Sequence, residues 1–106
     1  MKTRAAVVEA KGQPFTMSEV ELDEPREDEV LVRMVATGLC HTDITMASIF
    51  SKTPMVFGHE GAGTVVAVGP QAQRRVGQQV VLTFASCGAC GNCSHDRPAY
   101  CDQSTN

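Results

Sequence analysis

The run Cys87-Gly-Ala-Cys90-Gly-Asn-Cys93-Ser-His-Asp-Arg-Pro-Ala-Tyr-Cys101 constrains this chain more than any other stretch. Four of the five cysteines fall in it, spaced C-x2-C-x2-C-x7-C. Two-residue gaps let successive thiolates turn toward one point, and the longer gap lets the fourth close the shell from the far side. Four soft ligands with no open position suit a tetrahedral structural zinc ion. Gly88 and Gly91 are expected to supply the positive-φ turns such a knuckle needs. Each thiolate must lose its proton to bind, so metal binding would stabilise the folded lobe directly.

Other readings of the four cysteines are poorer. Two disulfides suit a small secreted domain. They would leave the fifth cysteine over, and the start, Met1-Lys-Thr-Arg-Ala-Ala-Val-Val, lacks the apolar segment of a secretory signal. Ferredoxin-type iron–sulfur ligation also uses C-x2-C-x2-C, but its next cysteine follows three residues later and precedes a proline. Here the last gap is seven and Pro98 comes before Cys101. Unrelated free thiols complete the alternatives.

A length of 106 residues allows one domain or part of one, and a hydrophobic fraction of 42% is ordinary for a globular core. The net charge of -3 and the absence of Trp give no polyanion-binding face and no base-stacking platform, so no nucleic-acid partner is expected. No apolar run approaches membrane-spanning length, so no membrane partner is expected either. A cytoplasmic location is expected, which again favours metal over disulfide.

The rest of the chain reads mainly as strands. Ala5 to Glu9 and Phe15 to Leu22 flank a Lys11-Gly-Gln-Pro14 turn. Glu19 to Glu29 holds seven acidic residues around Pro25, a solvated loop in the simplest reading and a cation or partner patch in the alternative. Glu29 to Thr37 alternates, with Val30, Val32, Met34 and Ala36 on one face. Gly38 ends that strand, and Leu39 to Ile44 starts a helical turn that Thr42 or Asp43 could cap. Gly58, Gly61 and Gly63 mark turns or close packing before a strand over Thr64 to Val68, and Gln79 to Phe84 is the last strand. Gly61-x-Gly63 resembles the start of a dinucleotide fingerprint, but the third glycine position holds Val66 and no strand–helix unit follows.

Cys40 and His59 offer a thiolate and an imidazole, each near a glycine at the edge of a β-segment. Residue type alone leaves a shared metal, an inert core cysteine and a satisfied polar histidine all open.

Gly38-Leu-Cys40-His41-Thr42-Asp43, then Gly58-His59-Glu60-Gly61-Ala-Gly63, then the four-cysteine run, resemble in order the zinc-dependent medium-chain alcohol dehydrogenases over nearly the whole chain. Pro98-Ala-Tyr-Cys101 and Val81-Leu-Thr-Phe84 look most like the aryl (benzyl) alcohol branch. The resemblance implies a mainly β, GroES-like, partly open barrel with a zinc lobe over residues 84–102. Residues 1–106 would be the N-terminal part of the catalytic domain, incomplete at the C-terminus, with the Rossmann cofactor domain absent. It implies that Cys40 and His59 are two of three ligands of a catalytic zinc that activates an alcohol for hydride transfer to NAD. Thr42 would bond the alcohol oxygen and begin the proton exit, and His41 would lie near the cofactor pyrophosphate. Asp43 would accept from His59, and Glu60 would sit behind the metal, able to approach it. Cys87, Cys90, Cys93 and Cys101 would hold the structural zinc.

Several positions depart from the family pattern. Thr45 stands where many members carry a proton-relaying histidine, the segment from Asp43 to Pro54 is short, and Gln78-Gln79 replace a usual Gly-Asp. The expected partner is a small alcohol or aldehyde, and a homo-oligomer is expected. The second expectation, from a different class, is a non-catalytic zinc-binding β-domain that self-associates through its unpaired strand edges.

Overall fold

The computed structural model describes residues 1–103; residues 104–106, the last of the expected domain, lie outside the described residues. The chain runs β1 (Lys2–Val8), β2 (Thr16–Glu21), β3 (Val30–Thr37), α1 (His41–Ile49), β4 (Met55–Val56), β5 (Gly61–Val68), β6 (Gln79–Val81), α2 (Gly91–Ser94) and a 3-10 turn at Pro98–Tyr100. Two antiparallel three-stranded sheets form, ordered β2-β1-β4 and β3-β5-β6, and neither closes into a barrel.

The β-branched pair Val7-Val8 explains why β1 holds the first sheet together. Val7 pairs with Thr16 on one side and Val56 on the other, and Val8 is fully buried. The Lys11 turn is tied to the helix by a Gly12 N–H that donates to the Ala47 carbonyl at 3.0 Å. Phe57 meets Phe15 and Phe50 edge-on, with ring centroids 6.5 and 6.2 Å away, an arrangement favoured by the ring quadrupoles. In the second sheet Val65 of β5 is fully buried opposite Val32 of β3. The strict alternation expected of β3 is interrupted. Register shifts between Leu31 and Val32 and between Met34 and Ala36 turn its C-terminal half outward, so Met34 and Val35 are exposed. Gly63 packs against the β3 backbone, where an added Cβ would strike the Arg33 carbonyl.

The acidic stretch divides. Glu19 and Glu21 lie on β2, where Glu19 pairs with Lys2 at 2.9 Å. The remainder is a loop, with the Glu29 carboxylate accepting from Arg26 N–H at 3.0 Å and that of Glu27 from Gln71 Nε2 at 3.2 Å. Gln78, the first of the two glutamines, accepts from Arg75 N–H at 3.3 Å through its side-chain oxygen. Among the described residues no helix is long and apolar enough to cross a membrane.

Candidate metal centres

The four-cysteine run folds back on itself. Gly88 takes φ +71°, as expected of the knuckle, whereas Gly91 has no positive φ and opens α2. All four sulfurs lie within 4.8 Å of one another, none disulfide-bonded, with Cys87 and Cys93 Sγ 4.0 Å apart. Tetrahedral Zn–S bonds of about 2.3 Å put sulfurs about 3.8 Å apart, so the donor set fits a zinc ion with little movement.

Backbone N–H groups converge on these sulfurs. Cys87 Sγ accepts from Ala89 and Cys90 (3.4 and 3.2 Å), Cys90 Sγ from Cys93 (3.5 Å), and Cys101 Sγ from Cys87 and Gln103 (3.3 and 3.4 Å). Such donors favour the thiolate over the thiol. The Cys87 thiol is held below its ordinary value by Ala89 and Cys90 N–H, that of Cys90 by Asp102 and Cys93 N–H, and that of Cys101 by Cys87 and Gln103 N–H. Cys93 behaves oppositely, with desolvation pushing it up to about 12. Asn92 braces the lobe, its side-chain N–H groups reaching the Tyr100 carbonyl (2.9 Å) and the Asp102 carboxylate (3.1 Å).

The second cluster joins two distant segments. Candidate ligand atoms of Cys40, His59 and Glu60 lie within 4.8 Å of one another. Cys40 is the N-cap of α1, not Thr42 or Asp43. Asp43 is the third helical residue, and its carboxylate reaches back to accept from Cys40 N–H at 3.0 Å. A Ser/Thr-x-x-Glu capping box has this spacing, so Cys40-x-x-Asp43 carried a readable capping signal with sulfur in place of the hydroxyl. The other Asp43 oxygen lies 3.3 Å from His59 Nδ1, and Asp43 is the one buried polar residue among those described. His59 follows Gly58, whose φ of +142° suits glycine. Its Nε2 lies 3.7 Å from Glu60 Oε1.

Glu60 is fixed through its backbone, its carbonyl accepting from Gly38 N–H (3.1 Å) and Thr37 Oγ1 (2.9 Å). A Cβ on Gly38 would collide with the Glu60 carboxylate, which gives that glycine its reason. The Cys40 thiol donates to Thr42 Oγ1 at 3.5 Å. His41 opens α1 with an exposed side chain outside the gathered ligands, and Thr45 Oγ1 donates back to the His41 carbonyl at 3.1 Å. Phe84, expected as the end of a strand and part of the run that resembles the aryl branch, leaves β6 and stacks on His59, with centroids 4.5 Å apart and planes 18° from parallel.

Residues 26–106 match the family described as the alcohol dehydrogenase GroES-like domain. The chain belongs to that family. Within it, the chain is 44% identical over 106 residues to the NDMA-dependent alcohol dehydrogenase of Amycolatopsis methanolica, covering 96% of this chain and 29% of the relative. It is also 44% identical to the geraniol dehydrogenase of Castellaniella defragrans, covering 97% of this chain and 28% of the relative. A zinc-binding-domain alcohol dehydrogenase protein of Burkholderia ambifaria superposes with TM-score 0.93 at 47% identity, over 98% of this chain and 29% of that one. The benzyl alcohol dehydrogenase of Acinetobacter calcoaceticus superposes with TM-score 0.90 at 38% identity, over all of this chain and 30% of that one. This GroES-like chain therefore spans less than a third of the relatives it matches. The resemblance to medium-chain alcohol dehydrogenases holds at the level of family and fold, and both clusters lie within the matched residues.

Proposed function

We propose that this chain is the metal-holding part of an NAD-dependent alcohol dehydrogenase that oxidises a primary, aromatic alcohol to its aldehyde. The meeting of Cys40, His59 and Glu60 at one point, backed by a buried carboxylate, carries the reading. Cys40 and His59, with Glu60 near, would hold a catalytic zinc, and the four-cysteine lobe would hold a structural one. Bound at the cluster of Cys40, His59 and Glu60, zinc would supply Lewis acidity that makes a hydroxyl a better proton donor.

The chain's own residues do the rest. Asp43 accepts from His59 Nδ1, so that Nε2 keeps its lone pair for the metal. Asp43 also holds the N–H of Cys40, so one carboxylate sets the spacing of both ligands. Thr42 Oγ1, beside the Cys40 sulfur, takes the hydroxyl proton and passes its own outward, since the residue is exposed. NAD would supply the acceptor for the carbinol hydrogen, taken as hydride while the hydroxyl proton leaves through Thr42. His41, exposed at the start of α1, would meet the cofactor's phosphates. Similarity to the benzyl alcohol dehydrogenase supports the aromatic substrate.

A second reading has its own observation. Val35, Val81 and Phe84 are mostly exposed on or beside the β3-β5-β6 sheet, which suits a zinc-binding β-domain that self-associates into a homo-oligomer. Zinc per chain, measured by elemental analysis on the wild type and on Cys87→Ser, separates the two. About two zinc ions, one surviving the substitution, are expected for the dehydrogenase reading. One zinc, lost with Cys87→Ser, leaves only the second reading, and none overturns both.

A further inference from the structure

His59 sits between β4 and β5, outside either strand. Its 3.3 Å approach to Asp43 Oδ1 holds a single ring atom, Nδ1. With Nδ1 at Asp43 and Nε2 3.7 Å from Glu60 Oε1, the ring plane can still tilt about the line of those two edge contacts. A flat surface against the ring face removes that freedom. Phe84 is such a surface, lying 18° from parallel at 4.5 Å.

Phe84 is 63% exposed, so burial of its own ring in the core does not account for its position. The backbone on either side holds it there. Leu82 N–H donates to the Gly61 carbonyl at 2.8 Å, and Cys87, the first lobe ligand, lies three residues beyond Phe84. Asp43 and Phe84 thus fix His59 from two directions, one through an edge atom and one through a face.

We infer that Phe84 is a positioning residue: by stacking on His59 it fixes the imidazole plane in which Nε2 faces Cys40 and Glu60. This rests on the reading of that cluster as a metal site. It gives the exposed aromatic ring a role that size alone cannot fill, because a flat face restrains a flat ring and a branched aliphatic chain does not.

The test is cobalt titration of the whole chain, with Phe84→Leu and Phe84→Tyr compared with the wild type. Lobe binding is followed by its thiolate–cobalt bands, and the second ion by its separate visible bands. Phe84→Leu should weaken the second ion about tenfold, as lost support behind a metal ligand does, and shift its bands. Phe84→Tyr should restore both, with the lobe bands the same throughout. In the chain carrying one zinc, the His59 ring protons should be shifted upfield by the Phe84 ring current, and Phe84→Leu should abolish that shift. Equal second-ion affinity in wild type and Phe84→Leu would overturn the positioning role alone. A wild type that takes only one cobalt would overturn the metal reading of the cluster, and the role with it. Unshifted His59 ring protons would show that the stack does not form.

Discussion

The cysteine lobe and the Cys40/His59/Glu60 cluster both gather ligand atoms within 4.8 Å, but they are assembled differently. The lobe draws its ligands from one short run, and the sulfurs are held by backbone N–H groups of that same run. The second cluster takes a helix cap from one segment and a loop pair from another, joined through Asp43. A locally built site depends on its metal and its turns. A site built across elements depends on buried side chains that hold the elements in register, so the two should fail under different substitutions.

Cys101→Ser should have the largest effect. It removes the one buried lobe ligand, whose sulfur accepts two N–H groups. The zinc-loaded chain should lose one metal equivalent and, because lobe folding and metal binding are one event, several kcal/mol or more of stability in urea denaturation. Retention of both metal and stability would mean the lobe does not depend on its ion, and the contrast would collapse.

Asp43→Ala comes next. It leaves Cys40 N–H and His59 Nδ1 without their shared acceptor in a buried setting. The expected cost is about 1–3 kcal/mol of stability and a roughly 10- to 100-fold weaker metal affinity at the second cluster. The lobe's metal content should stay constant, as elemental analysis would reveal; a parallel loss there would show that the two sites are one cooperative unit.

Gly38→Ala should act more mildly. The new Cβ displaces the half-exposed Glu60 side chain, which can swing away, so the melting curve should report about 1 kcal/mol. Cobalt spectra of the second cluster should change if Glu60 contributes to it, and remain as in the wild type if it does not.

The smallest effect is that of pH on the metal-free chain. Cys87, Cys90 and Cys101 titrate below the ordinary 9.0 in the fold. Below that value the unfolded chain binds more protons, so stability should rise with pH through the lowered values. Above 9.0, Cys93 stays protonated up to about 12 in the fold while the unfolded thiol ionises, so its contribution falls with rising pH. In a Cys40→Ser chain, which leaves only the lobe thiols, ultraviolet thiolate absorbance should show three early ionisations and one late one. Four indistinguishable thiols would mean the N–H donors do not discriminate among them.

Much of the architecture was legible in residue patterns. β3 lies where a β-branched run ended by glycine placed it, β5 includes the expected Thr64 to Val68 but begins earlier, at Gly61, because Gly61 and Gly63 pair with β3, and the lobe lies where the cysteine spacing placed it. β4 was not seen, because a two-residue strand leaves no period to read. The strand expected over Gln79 to Phe84 stops at Val81, since the end of an apolar run does not reveal that its last ring stacks on a histidine. Thr42 and Asp43 were expected as caps on residue preference. Cys40 takes that place because Asp43 is drawn back toward Cys40 N–H and His59.

The sequence by itself determined that four thiols close to one another along the chain would converge, because short gaps and a glycine turn limit where they can go. It also determined roughly where β1, β2, β3 and β5 form, through alternation and β-branching. Only the tertiary structure decided that Cys40, His59 and Glu60 meet, that Asp43 is buried between two of them, and that Phe84 covers the imidazole face. Residues far apart in the chain meet only when sheets and helix pack, and that packing depends on the sum of many weak contacts rather than on any spacing a short stretch can display.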